Sequence, residues 1–203
     1  MKNIKVLVCI GLLVTSVPSF SKTILSVNPS FPLIFTDVDD GVRVQMGAKI
    51  GIGIEVQKLF DTAPIALGVF YQGLLLSSYG PMALNLNGAT VTYYPFGAPL
   101  KKLNLDGAVT LEERRASVFV KSGIGLAFFN FQDFDQVAFG ASAFSFIMSA
   151  GFDQPFSKDF SAGVEALYLT TFGGVSTAST TEVTIPVGAT GFIFAARMSF
   201  FFD

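Results

Sequence analysis

The chain has 203 residues, a formal net charge of −2, no histidine and a single cysteine. These counts exclude a histidine base, a cysteine and histidine metal cluster and a basic nucleic-acid surface. Its composition is 51% hydrophobic and only 14% charged, with a mean hydropathy of +0.57. Beyond the N-terminal leader, no stretch approaches the ~20 consecutive apolar residues that a membrane helix needs, so another kind of element must carry this apolar surplus.

Residues 1–21 predict a secretory signal peptide. Two lysines precede an uncharged apolar run, and small residues stand where signal peptidase prefers them, with cleavage before Lys22. Cys9 lies inside that run, too near the N-terminus for a lipoprotein cysteine. The mature chain, residues 22–203, is then a single domain without cysteine.

Within the mature chain, apolar and polar residues alternate with a period of two, which is the pattern of β-strands. Turn residues such as glycine, proline, aspartate and serine separate the alternating segments. The clearest segment places isoleucine, valine, methionine and alanine on one face, and glycine, glutamine and charged residues on the other; it spans 42–57. The predicted strands are residues 22–36, 42–57, 64–76, 82–95, 117–130, 143–152, 160–170 and 188–202.

Two segments compete for one of these strand positions. Pro29 and Pro32 each remove a backbone donor from residues 22–36 and make that segment irregular. Residues 96–116 are the most charged stretch, and an Asp-Gly pair there separates two alternating arms, which is a strong hairpin signal. We interpret 101–111 as a small hairpin outside the bilayer; it would supply the eighth barrel strand only if the proline-containing segment did not.

The alternation slips within residues 82–95. Leu84 and Leu86 are predicted to face outward and the asparagine between them inward, but beyond Gly88 the apolar positions shift by one residue. A β-bulge at Gly88 would accommodate the shift. A hairpin turn at Asn87 and Gly88 is the rival interpretation, although its arms would be too short to span a bilayer.

The last strand, residues 188–202, indicates what the two faces of the wall contact. Phenylalanine, alanine and methionine occupy every second position, whereas the alternate positions include Gly191, Arg197 and Ser199. A full charge in mid-strand behind an apolar face indicates lipid on one side and a polar lumen on the other. A closed barrel satisfies every backbone hydrogen bond of its strands, as lipid requires.

This ending resembles the closing strand of bacterial outer-membrane β-barrels, which finish on an aromatic residue, although here Asp203 follows Phe202. Further segments look like the small outer-membrane barrel domains of the OmpA, OmpX and OmpW type. They are Thr-Tyr-Tyr-Pro-Phe at 92–96, Val-Phe-Val-Lys-Ser-Gly-Ile-Gly-Leu at 118–126, and the glycine- and phenylalanine-containing residues 150–165.

The resemblance implies an all-β, eight-stranded antiparallel up-and-down transmembrane barrel in the outer membrane of a Gram-negative cell. Its expected partners are outer-membrane lipid, periplasmic chaperones and the barrel-assembly machinery; we expect a monomer that binds no nucleic acid. With both termini in the periplasm, the short turn at 153–159 is periplasmic and the connection at 173–186 is external, as is usual. The long connection at 96–116 is then periplasmic, which departs from that pattern.

The inward positions predict a charge network in the lumen. Taken by alternation, they collect nine of the twenty glycines and six charged side chains. The six are Arg43, Lys49, Glu55, Lys121, Glu165 and Arg197. Glu165 and Arg197 lie on consecutive strands at matching depth, so we expect them to pair. Since an eight-stranded barrel has little more room than its side chains fill, glycine would make space for long charged side chains to interlock.

These features predict a small outer-membrane barrel with a lumen largely filled by polar side chains and a structural or surface-interaction role. A narrow, porin-like conduit for small, even apolar, solutes, similar to OmpW, is one alternative. A soluble secreted barrel that turns its apolar face inward around an apolar ligand is another, which the low charge disfavours. Without histidine we expect no enzyme, and no catalytic residue, cofactor or metal site is predicted.

Overall fold

The computed structural model describes residues 20–38, 42–60, 63–77, 81–105, 109–132, 138–177 and 184–202. Residues 1–19 of the predicted signal peptide lie outside the described residues, and the first strand begins at Phe20, two residues before the predicted cleavage point. The cleavage site therefore stays a prediction. Among the described residues, no helix is long and apolar enough to cross a membrane.

The described chain consists almost entirely of β-strands. In chain order they are β1 (Phe20–Val38), β2 (Val42–Phe60), β3 (Ile65–Ser77), β4 (Pro81–Tyr93), β5 (Leu100–Leu105), β6 (Val109–Arg114), β7 (Ser117–Gln132), β8 (Ala138–Pro155), β9 (Phe160–Thr177) and β10 (Thr184–Phe202). All except β5 and β6 form one closed antiparallel barrel in chain order, which the pairing of β1 with β10 completes. β5 and β6 form a separate hairpin between β4 and β7. The predicted eight-stranded up-and-down barrel is confirmed, and its closure leaves no exposed sheet edge.

β1 supplies the eighth barrel strand, and residues 101–111 do not. Its two prolines each fall where one of the two neighbouring ladders is interrupted. Pro29 pairs with Ile52 of β2 beside a gap in the pairing to β10, and Pro32 pairs with Ile193 of β10 beside a register shift against β2. Because proline removes a single backbone donor, a strand tolerates it where the ladder on that side is already broken.

The two faces of the barrel wall differ as the alternation predicts. On β2, Ile50 and Ile52 are 53% and 52% exposed on the outside, whereas Glu55 and Gln57 are buried inside. Large apolar side chains also cover the outside of β7 to β10; they include Val120, Ile124, Phe144, Met148, Val164, Phe192 and Phe194. Since Ile50 and Ile52 point outward and Glu55 points inward, the alternative in which this apolar face lines the interior is wrong.

β4 contradicts the predicted bulge. It pairs with β3 and β7 without a register shift, and Leu84 and Leu86 are fully buried inside the barrel. Asn85 faces outward, where its Oδ1 accepts a hydrogen bond at 2.7 Å from a tyrosine hydroxyl of β3. The leucines turn inward because this level of the lumen is apolar. Gly88 is neither a bulge nor a turn but a point of close approach, since a Cβ there would meet the Ile124 carbonyl oxygen.

The lumen is divided into three layers along the barrel axis. We call the end at which β1 begins and β10 ends the terminal end, and the opposite end the loop end. The floor, at the terminal end, comprises Ile24, Leu59, Ala66, Tyr94, Leu100, Phe119 and Phe201. The upper layer, towards the loop end, comprises Ile34, Phe70, Leu74, Leu76, Leu84, Leu86, Ala127, Phe129, Ala141, Ala143, Ile147, Leu167, Leu169, Ala189 and Ile193. Charged side chains lie between them: along β10, Phe201 belongs to the floor, Arg197 to the charged layer and Ile193 to the upper layer.

Candidate functional site in the barrel lumen

Arg197 lies at the centre of the charged layer. It projects inward from β10, is 1% exposed, and is the largest fully buried side chain among the described residues. Its guanidinium reaches three carboxylates. Nε lies 3.2 Å from Asp153 Oδ2, and Nη1 lies 3.2 Å from Glu165 Oε2 and 3.4 Å from Glu55 Oε2. The rigid guanidinium fork, with its five donors, can serve several acceptors at once.

Lys121 of β7 is the second cation, and it contacts the same two glutamates, Glu55 and Glu165. Its Nζ lies 2.6 Å from Glu165 Oε1 and 2.9 Å from Glu55 Oε2. Each glutamate also accepts a hydrogen bond from a hydroxyl: Thr90 donates to Glu55 Oε1 at 2.7 Å, and Ser149 donates to Glu165 Oε1 at 2.6 Å. Every carboxylate oxygen of the two glutamates is thereby hydrogen-bonded.

The salt bridges join five side chains into one connected set, which we call the charge cluster: Glu55, Lys121, Asp153, Glu165 and Arg197. No member is more than 5% exposed. Removing an ion from water costs several kcal/mol even after the protein relaxes around it, and a well-placed buried partner of opposite charge offsets a cost of that order. Each charge in the cluster therefore depends on its partners. Arg197 also lies over the Phe119 ring, with Cζ 4.7 Å from the ring centre, which adds a cation–π contact.

Four of the six charged residues predicted to line the lumen meet in this cluster, namely Glu55, Lys121, Glu165 and Arg197. The expected contact between Glu165 and Arg197 is present. Arg43 and Lys49 belong to β2, but their side chains lie outside the described residues. Their place in a charge network therefore stays a prediction.

Asp153 is the member that sequence reasoning missed. The sequence pattern places it in the turn at 153–159, whereas β8 continues to Pro155 and Asp153 is only 4% exposed. A signal was present, because Ser145, Ser149 and Asp153 all belong to the inward set of β8. An aspartate two residues before a proline favours a turn in the sequence pattern, but pairing of β8 with β7 and β9 extends the strand past that point.

Glycines face the lumen where long polar side chains need room. A Cβ at Gly53 would meet the Gln72 amide, and one at Gly163 would meet both the Phe152 carbonyl and the Asp153 carboxylate. The lumen is correspondingly full. Between the charge cluster and the upper layer lies a cavity of about 20 Å³, which is space for roughly one water molecule.

The chain between β4 and β7 closes the terminal end. Tyr94 and Leu100 are buried in the floor, and the Tyr94 ring packs edge-on against Phe119 with ring centres 6.4 Å apart. Burial raises the pKa of the Tyr94 hydroxyl above its ordinary value, so this group stays neutral. Arg114 of β6 lies over the Phe201 ring, 3.5 Å from its centre, and so attaches the hairpin to the last strand. The predicted hairpin is confirmed, and the segment before it helps to seal the barrel.

Three solved structures share this architecture. Neisserial surface protein A (NspA) matches with a TM-score of 0.59 and 8% identity, over 89% of this chain and 98% of its own. The outer membrane protein OprG from Pseudomonas aeruginosa matches with a TM-score of 0.55 and 11% identity, over 91% and 97%. The outer membrane protein AlkL, determined in DMPC bilayers, matches with a TM-score of 0.58 and 12% identity, over 91% and 92%. The fold is that of the small outer-membrane β-barrels.

No protein-family model matches the sequence, and no curated protein is significantly similar to it. At 8% to 12% identity, the likeness concerns the small outer-membrane barrel fold alone.

Within this small outer-membrane barrel, the lumen is polar over only part of its length. In the upper layer, Leu74, Leu86, Phe129 and Leu169 are each at most 1% exposed and pack against one another as part of a single apolar cluster. The prediction of a side-chain-filled polar lumen is correct for the charge cluster and wrong for the upper layer. The charged residues mark the inward face, but they do not reveal that leucine and other apolar side chains form a layer inside the lumen towards the loop end.

Proposed function

We propose that this chain is an integral outer-membrane protein whose barrel wall spans the bilayer with its terminal end in the periplasm. The apolar exterior supports this, because Ile50, Phe144 and Val164 are each more than half exposed and lipid is the medium that such a surface prefers. The chain is exported, carried by periplasmic chaperones and inserted as a monomer by the barrel-assembly machinery, and it binds no nucleic acid.

Its role is structural or surface-interacting, with a closed lumen. The observation that carries this proposal is the charge cluster, which is enclosed between the floor and the upper layer with no member more than 5% exposed. An ion that crossed the barrel would have to displace packed leucines, break buried salt bridges and pass the floor. Because Glu55 and Glu165 are paired with cations and fully hydrogen-bonded, neither serves as a catalytic base, and we propose no enzymatic activity.

Planar-bilayer recordings test the closed lumen. The mature protein, residues 22–203, should insert without steady conductance. Glu165→Gln removes an ionic partner of Arg197 and Lys121 and should allow brief ion-conducting events. Lys158→Gln is the control, because that side chain is 89% exposed in a turn and should leave the recordings silent. Large, steady wild-type channels that Glu165→Gln did not alter would refute the closed lumen.

Fractionation tests the location separately. The mature protein should pellet with the outer membrane, require detergent for extraction, and migrate differently in SDS before and after boiling because a closed barrel resists mild SDS. Recovery in the soluble periplasmic fraction after osmotic shock would refute the membrane assignment.

Uptake of small apolar solutes is a second candidate, and the upper layer is the observation that favours it. Leucine and phenylalanine side chains offer an apolar solute a better environment than water, but here they pack against one another. Widening this layer by Leu86→Ala should therefore increase entry of an apolar fluorescent probe into vesicles that contain the protein. Leu126→Ala, on the exterior at 44% exposure, is the matched control; equal entry with both variants and with empty vesicles would remove this candidate.

A further inference from the structure

The charge cluster contains one more acid than base. Its salt bridges connect three carboxyl groups, those of Glu55, Asp153 and Glu165, to two cations, Lys121 and Arg197. With all five ionised, the set would carry a net charge of −1. Because each member is at most 5% exposed, water does not screen that surplus, and an uncompensated buried charge is strongly unfavourable.

Asp153 is the member whose oxygens are not all bonded. Oδ2 lies 3.2 Å from Arg197 Nε, but Oδ1 is buried without a hydrogen-bond partner among the described residues. Within the same described part of the chain, the hydroxyls of Ser117 and Ser161 are also buried without a hydrogen-bond partner. Ser117 is the direct cross-strand partner of Asp153 on β7, and Ser161 lies two residues along β9 from the partner of Asp153, Gly163. Inward side chains at these spacings are neighbours.

We propose that Asp153 is a buried proton-binding site and is neutral in the folded barrel at neutral pH. The proton sits on Oδ1, and a change of rotamer at Ser117 or Ser161 would bring a hydroxyl oxygen close enough to accept it, while Oδ2 continues to accept from Arg197. One proton removes the surplus charge and gives Oδ1 a hydrogen to donate. Asp153 lies two residues before the end of β8 at Pro155, beside an exposed turn that gives the proton a short route to solvent.

The surroundings of Asp153 explain why it, rather than a glutamate, holds the proton. Arg197 of β10 and Lys121 of β7 face it as cations, and Glu165 of β9 and Glu55 of β2 face it as anions. Both cations are shared with the glutamates, and both glutamates have further hydroxyl donors. Tyr94, the titratable group in the adjoining floor, stays neutral because burial raises its pKa. Asp153 therefore receives the least support for a negative charge.

The proton has a measurable consequence for stability. An unfolded aspartate ionises near pH ~3.9, so above that pH the unfolded chain releases a proton that the folded barrel keeps. Stability is then lost as the pH rises, and the unfolding equilibrium constant increases by up to about tenfold per pH unit. Because the chain has no histidine, the range from about pH 5 to pH 9 contains no other ordinary side-chain titration in the mature protein.

Denaturant unfolding of the mature barrel in detergent micelles tests this at about pH 5, 7 and 9, within that range. The wild-type midpoint should fall as the pH rises. Asp153→Asn, which supplies a donor that does not titrate, should abolish that dependence. Ser145→Ala is the control. It removes a buried hydroxyl of β8 that also has no partner in the described part of the chain, and it should keep the wild-type dependence. A wild-type midpoint independent of pH, or an Asp153→Asn midpoint with the wild-type dependence, would overturn the proposal.

Infrared spectroscopy provides a readout that does not require unfolding. The difference between wild type and Asp153→Asn at neutral pH should contain a carboxylic-acid C=O band, which disappears at high pH. Combining Ser117→Ala with Ser161→Ala should move that disappearance to lower pH, since the neutral acid loses its acceptors. Absence of the band, or saturable stabilisation by Na⁺ over choline at constant ionic strength that Asp153→Asn removes, would assign the compensating charge to a metal ion and overturn the proton site.

Discussion

The upper layer and the charge cluster line the same strands, with Ile193 and Arg197 only four residues apart on β10, yet they are stabilised in opposite ways. In the upper layer, many small contributions from buried apolar area and dispersion add together. In the charge cluster, each ion has lost its hydration, so stability depends on every partner being present. Shortening one side chain of the upper layer should therefore lower the free energy of unfolding in proportion to the apolar volume removed. Removing one charged side chain of the charge cluster should lower it by more than the size of that side chain suggests.

The largest effect is expected from Arg197→Met. This change keeps much of the apolar volume but leaves the acidic members of the cluster with Lys121 as their only cation, at a cost of about 3–5 kcal/mol in the free energy of unfolding. Lys158→Met removes a turn charge whose side chain is 89% exposed and should cost about 0–1 kcal/mol. Denaturant titration in detergent measures both, and equal losses would contradict a dry, mutually dependent cluster.

Leu86→Ala examines the upper layer in the same assay. Leu86 is fully buried among apolar neighbours, so the change should cost about 2–4 kcal/mol through lost contacts and a residual cavity. Leu126→Ala is matched to it on the exterior, where the side chain is 44% exposed and detergent or lipid fills the space. The prediction fails if the exterior variant loses as much stability as the interior one.

Gly163→Ala sharpens the comparison by adding volume at the edge of the charge cluster. The new Cβ would meet the Phe152 carbonyl oxygen and the Asp153 carboxylate, and overpacking of this kind costs about 1–3 kcal/mol. Gly140→Ala is the control, since nothing lies within 4 Å of a Cβ there. If Gly163→Ala left the free energy of unfolding unchanged, the backbone of β8 and β9 would have to move enough to accept the extra methyl group, contrary to this prediction.

The smallest effect concerns the floor. Arg114→Gln removes the cation above the Phe201 ring and should lower the free energy of unfolding by about 0.5–1 kcal/mol, with faster proteolysis of the hairpin formed by β5 and β6. Arg115→Gln changes an exposed neighbour and should alter neither the free energy of unfolding nor the rate of proteolysis. If the two variants behave alike, the cation–π contact does not hold the hairpin against the barrel.

The strands, the closure of the barrel and the inward direction of Glu55, Lys121, Glu165 and Arg197 could all be predicted from the sequence. The reason is local: successive side chains of a strand point to opposite faces, so a charge in one alternating set assigns that whole set to the lumen. An apolar set facing the other way requires lipid, and a barrel is the sheet that lipid permits. Each of these steps depends on neighbours within one strand.

The tertiary structure alone decided how those strands meet. Whether residues 22–36 or 101–111 completed the barrel depended on β1 pairing with β10, far away in the chain. Pairing with the neighbouring strands likewise decides that the Leu84 side chain points inward and that β8 extends to include Asp153. Alternation shows which face of the wall a residue belongs to. It does not show how far along the barrel axis the residue lies or which residue of the next strand it pairs with, because the register between strands sets both. That register is what stacks an apolar floor, a charge cluster and an apolar upper layer in one lumen.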